Sequence, residues 1–147
     1  LTDVVAEAVD RVRVAAEARS IEIVVGMDDG LLVFGDGELL VTAVANLLGN
    51  AVNYSDDHTR VGVGGRRVGD IVEVSVTDQG QGIPAADQER IFERFYRVDR
   101  GPVRRPGTGV GLAIVKEFTE AQGGQVALVS APGRGSTFTL RLRAAQS

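Results

Sequence analysis

The chain of 147 residues has no cysteine, no tryptophan and a single histidine, and aromatic residues make up only 5% of it. Without cysteine there is no disulfide and no thiolate metal site, a pattern that suits a reducing compartment. A lone His58 excludes a metal centre built from several imidazoles. Lysine is almost missing as well: Lys116 stands alone among 16 basic residues, a skew that fits a GC-rich bacterial genome. No apolar run approaches the ~18 residues of a membrane-spanning helix, and the opening residues do not read as a secretory signal. A net charge of −4 gives no overall attraction to nucleic acid or to an anionic membrane. Neither is therefore an expected partner, and any anion binding must be local. The chain starts at Leu1 rather than Met, which reads as a piece of a longer protein.

What is present suffices for one domain, since a chain of this size can bury close to ~70% of the surface its unfolded form exposes. Thr2 or Asp3 can cap an opening helix in which Val4, Val5, Ala8, Val9, Val12, Ala15 and Ala16 recur at helical spacing, ending near Arg19. Residues 21–25 and 31–34 flank Asp28, Asp29 and Gly30, so two strands joined by a turn are expected. Asp36 then caps a second helix reaching about Tyr54. Two runs, 60–68 and 71–77, bracket Gly69 and Asp70 as a hairpin, which places Asp78 at a strand end. Residues 98–106 lose all apolar periodicity and hold Arg100, Arg104 and Arg105, which reads as a mobile basic lid. A further helix places Leu112, Ile114, Val115 and Phe118 on one face and stops at Gly123 and Gly124. Strands at about 125–130 and 136–143 close the chain, turned at Pro132 and Gly133. The expected class is α+β: a two-layer sandwich whose mixed, mostly antiparallel sheet is covered on one face by about three helices.

Three groups of residues carry chemistry. On the second helix Asn46, Asn50 and the Asn53–Tyr54 corner share a stripe bordering Leu40, Val44, Leu47, Leu48 and Ala51. Amides held beside a core need hydrogen-bond or metal partners, because an unsatisfied buried polar group costs roughly 1–3 kcal/mol. Gly107, Thr108, Gly109 and Gly111 open the last long helix, where free N–H groups make a phosphate cradle. Tight packing or a lid hinge would use the same glycines. Asp78 is followed by Gly80 and Gly82, so a carboxylate acceptor lies beside backbone that a flat ligand can approach. An ordinary Asp-Gly turn would account for those residues too.

In order and spacing, Asn46 to Tyr54, Asp78 to Gly82, Phe92 to Arg97 and Gly107 to Gly111 resemble the N, G1, F and G2 boxes of the catalytic ATP-binding domain of bacterial two-component sensor histidine kinases. With the closing residues Gly133 to Phe138, the resemblance covers nearly the whole chain. The composition is similar to that of actinobacterial members, of the mycobacterial Prr type. The resemblance implies a Bergerat ATP-binding fold with ATP and Mg²⁺ as cofactors. It gives Asn50 the metal, with Asn46 alongside, and gives Asp78 the adenine amino group. It lays Tyr54 against the nucleotide and lets Thr137 support the Asp78 end through a hydroxyl or a water. Arg97 would reach the terminal phosphates; Gly80, Gly82, Gly107, Thr108, Gly109, Gly111 and Leu112 would line the nucleotide, and Phe92 and Phe95 would anchor the base of the lid.

Two departures sharpen the expectation. Many relatives carry a cation where this chain has Asn53, which puts a direct contact from that helix to the phosphates in doubt. Related ATPases activate water with a glutamate at the position of Asn46; an amide is no general base, so poor hydrolysis and transfer to a protein acceptor are implied. No phosphoacceptor histidine box is present, and His58 reads as a surface residue. The implied partners are an upstream dimerisation and phosphoacceptor domain of the same protein and a cognate response regulator. The implied place is the cytoplasmic part of a membrane-anchored sensor. A degenerate nucleotide-sensing module and an autonomous ATPase are the competing readings.

Overall fold

The computed structural model describes residues 1–93 and 111–145. The first helix, α1 (Thr2–Ala18), buries Val5, Ala8, Val12 and Ala16 of the expected stripe, while Val4 and Val9 are half-buried and Ala15 is exposed. Neither Thr2 nor Asp3 caps it: Leu1 holds the cap position and no side-chain bond is made there. Strand β1 (Glu22–Met27) follows. Helix α2 (Gly37–Tyr54) starts as expected at Asp36, whose carboxylate accepts the N–H groups of Glu38 at 2.9 Å and Leu39 at 3.2 Å. Those two bonds satisfy donors that the first turn leaves open. Strands β2 (Arg60–Val68) and β3 (Ile71–Asp78) form the hairpin, with Gly69 at φ 61° in its turn. A short helix, α3 (Ala85–Gln88), precedes α4 (Gly111–Ala121), and β4 (Gln125–Ser130) and β5 (Ser136–Arg143) end the fold within the expected bounds.

The five strands lie in the order β1-β2-β3-β5-β4, with β1 parallel to β2 and the other neighbours antiparallel. The mixed, mostly antiparallel sheet and the helices packed on one face make the α+β sandwich. Alternation along the strands assigns the faces. Val72, Val74 and Val76 of β3 and Phe138, Leu140 and Leu142 of β5 are buried under the helices with Leu47 and Leu48 of α2. Truncating such a leucine to alanine costs about 2–5 kcal/mol. On the other face the pairs are polar: Thr77 with Thr137 and Ser75 with Thr139, each at 3.1 Å, and Glu73 between Arg66 and Arg141.

Two further expectations need correction. Residues 31–34 do not form a hairpin with β1; Val33 makes an isolated bridge to Ala144, and β1 takes β2 as its partner instead. Ile21 and Leu31 are buried in the core, while Val24, Val25, Leu32 and Phe34 of the same apolar runs are exposed. In α4 the buried face is Ala113, Val115, Phe118 and Thr119, while Ile114 is 39% exposed.

Candidate nucleotide site

The central helix α2 carries its asparagines along the border of the core. Asn46, Asn50 and Asn53 are half-buried beside the fully buried Leu47 and the buried Ala51. Asn46 faces the start of α4 so closely that a Cβ on Gly111 would lie 3.3 Å from Asn46 Oδ1. Leu112, the next residue, is half-buried against the core. The amide stripe therefore meets the described start of α4, and the positive N-terminal end of a helix favours an anion. Gly107, Thr108, Gly109, Phe95, Arg97 and residues 98–106 lie outside the described residues, so the expectations placed on them stay as they were.

At the other end of α2 the chain meets the end of β3. Asp78 is only 6% exposed, and its Oδ1 accepts the Gly80 N–H at 2.9 Å. Ser55 forms an isolated antiparallel bridge with Gly80, and a Cβ on Gly80 would collide with the Tyr54 carbonyl oxygen. Tyr54 itself is half-buried at this junction. Gly82, at φ 76°, has a left-handed backbone, and a side chain there would run into the Ala131 carbonyl. Both glycines are thus required by close approach between the strand-end loop and its neighbours.

Thr137 is not where it was expected. Phe138 points into the core, so Thr137 projects from the opposite face, where its hydroxyl pairs with that of Thr77 at 3.1 Å. The residue on the Asp78 side is Ser136, buried at 6% and paired in register with Asp78. Its hydroxyl lies 2.8 Å from that of Ser130, which also accepts the Ile83 N–H at 2.7 Å. Gln88 of α3 donates to the Ile83 and Ser130 carbonyls at 2.9 and 3.0 Å, tying the loop after Gly82 to β4. The alternation of β5 was the signal for Ser136: with Phe138, Leu140 and Leu142 inward, Ser136 must be inward too.

Phe92 is half-buried against the core. Its ring meets Phe138 edge-on, with centroids 6.0 Å apart, and Lys116 Nζ stands 5.9 Å over it. His58 is exposed in the turn after α2. Among the described residues no group of three or more His, Cys, Asp or Glu side chains could hold a metal. A metal at Asn50, with Asn46 alongside, would take the Asn50 amide oxygen and oxygens of its own ligand, which is the manner of Mg²⁺ carried by a polyphosphate. The donor set fits that ion.

The arrangement is a buried carboxylate at the end of the central strand β3, a stripe of amides along α2 and a helix that begins at Gly111. Residues 35–146 match the family described as histidine kinase-, DNA gyrase B- and HSP90-like ATPase. The chain belongs to that family. It is 49% identical over 140 residues to the sensor-like histidine kinase SenX3 of Mycolicibacterium smegmatis, covering 95% of this chain and 36% of that protein. It is 38% identical over 118 residues to the sensor histidine kinase WalK of Bacillus subtilis, covering 78% of this chain and 19% of that one. The fold superimposes on the mycobacterial sensor histidine kinase MprB with a TM-score of 0.87, at 33% identity, covering 99% of this chain and 95% of that structure. Full-length ShkA, solved in complex with AMPPNP, gives 0.86 at 26% identity, covering 99% of this chain and 30% of that one. SenX3 of Mycolicibacterium smegmatis and the mycobacterial MprB fit the actinobacterial leaning of the composition. The chain spans about a third of the length of the SenX3 relatives it matches.

Proposed function

We propose that this chain binds Mg-ATP and donates the γ-phosphoryl group to a histidine on a separate dimerisation domain of its parent sensor kinase. The observation that carries the reading is the meeting of Asn46 with Gly111, which sets the amide stripe of α2 against the start of α4. Asn50 would hold the metal and Asn46 would stand beside it, facing the phosphates. Asp78, with Ser136 on its inner side, would accept from the adenine amine, and Tyr54 would lie along the nucleotide. Arg97 would reach the terminal phosphates from the segment before α4.

Bound Mg²⁺ would supply neutralisation of phosphate charge. The protein's share is to hold and orient the donor and to keep water unactivated, which is most of what phosphoryl transfer asks of a protein. Asn46 supports transfer over hydrolysis, since an amide cannot take a proton from water. The acceptor would come from the dimerisation domain, and a response regulator would receive the phosphoryl group next. No helix among the described residues is long and apolar enough to cross a membrane; we place the anchor elsewhere in the parent protein and this domain on its cytoplasmic side. Thermal melting and calorimetric titration with Mg-ATP test the first step: a ligand-dependent rise in melting temperature is expected. No shift and no heat at millimolar nucleotide would refute it.

A further inference from the structure

Helix α2 has no basic residue in its last turn, although a helix C-terminus leaves four carbonyls open and favours a cation. The cation comes from another element. Arg19, the residue that ends α1, donates from its two terminal nitrogens to the carbonyl oxygens of Val52 and Ser55 and from Nε to Asp57 Oδ1 at 2.7 Å. Its side chain is only 18% exposed. The turn containing Arg19 is also docked by its backbone: His58 N–H donates to the Arg19 carbonyl at 3.2 Å, and Glu22 N–H to the Thr59 carbonyl at 3.1 Å. Among the described residues, the non-glycine residues with left-handed backbone are Ser20 and His58, one in each of these facing turns. Such backbone persists only where its surroundings impose it.

We propose that Arg19 is a positioning residue for the base-binding end of the nucleotide site. This assignment rests on the nucleotide reading above. The carbonyls that Arg19 holds flank Asn53 and Tyr54, so the guanidinium fixes the peptide planes on both sides of that corner. The Tyr54 carbonyl occupies the space a Gly80 side chain would need, Ser55 bridges to Gly80, and Gly80 N–H is held by Asp78. A displacement of the α2 terminus therefore passes by direct contact into the loop that aims Asp78. Three acceptors, one on each guanidinium nitrogen, suit the rigid fork of arginine; a lysine keeps the charge and loses the geometry.

The test compares the unaltered chain with Arg19→Lys and Asp57→Asn by calorimetric titration with Mg-ATP and by amide spectra of the ligand-free proteins. Arg19→Lys is expected to melt within a few degrees of the parent yet bind ATP on the order of tenfold more weakly, the equivalent of about one well-placed hydrogen bond. Amide signals of Ser55, Asp78 and Gly80 should move while those of Leu112 and Ala113 stay. Asp57→Asn, which removes only the outer and more exposed anchor, should show the same pattern more weakly and serves if the lysine variant does not fold. Unchanged ATP affinity in the folded variants, or shifts spread equally to Leu112 and Ala113, would overturn the Arg19 assignment and leave the nucleotide reading intact. A parent chain that binds no ATP would overturn both.

Discussion

Asn46 and Gly111 are in contact range: any side chain at Gly111 would start 3.3 Å from Asn46 Oδ1. Only a glycine lets the first turn of α4 approach the amide without pushing it aside. Gly111→Ala should therefore leave the fold nearly intact, because the amide end can yield by a few tenths of an ångström. It should weaken Mg-ATP binding on the order of tenfold by displacing the amide from the phosphate end. Melting curves with and without nucleotide separate the two effects.

Ser136 and Thr137 are neighbours on opposite faces of the sheet, so their substitutions should diverge. Ser136→Ala removes a buried hydroxyl beside Asp78 and should weaken ATP binding several-fold. Thr137→Val breaks only the pair with Thr77 and should leave ATP affinity unchanged. Titrations of the two variants decide which residue serves the site.

Asp78→Asn exchanges a pure acceptor for a group that also donates. The preference for ATP over GTP should fall, with a smaller loss of total affinity, since the phosphate end is untouched. An unchanged preference would show that Asp78 does not read the base.

Glu73 sits between Arg141 and Arg66 on the open face of the sheet, and the hydrogen bonds from these arginines, that of Arg141 first, hold its carboxyl below the ordinary value of 4.5. The folded state thus binds fewer protons at this group than the unfolded state does. Its contribution is complete above pH 4.5 and is lost as pH falls through the lower folded value. Against Glu73→Gln, the parent should be slightly more stable at neutral pH, and the gap should close in acid. Urea melts from pH 3 to 7 follow this, and a gap that widens in acid would contradict the sign.

Much of this architecture was legible in the chain. Asp36 announced the start of α2, Gly69 the hairpin, and the valines of β3 their buried face, because each signal is local. The pairing of β1 was not legible: residues 31–34 are as apolar as a strand, but the parallel neighbour of β1 is β2, brought in from far along the chain. Four ordered motifs pointed to the proposed site, yet the motif pattern alone named Thr137, and strand alternation puts Ser136 on the face that Asp78 shares. Arg19 gave no signal at all, since its acceptors are backbone carbonyls more than thirty residues away.

The most direct measurement mixes this chain with the histidine-bearing helical hairpin of its own parent protein and follows label from [γ-³²P]ATP. Phosphoryl transfer to the hairpin should proceed with little free phosphate released by the chain alone. Asn50→Ala should abolish it, while His58→Ala should leave it nearly unchanged. Rapid hydrolysis without the hairpin, or no labelled histidine with it, would contradict the account.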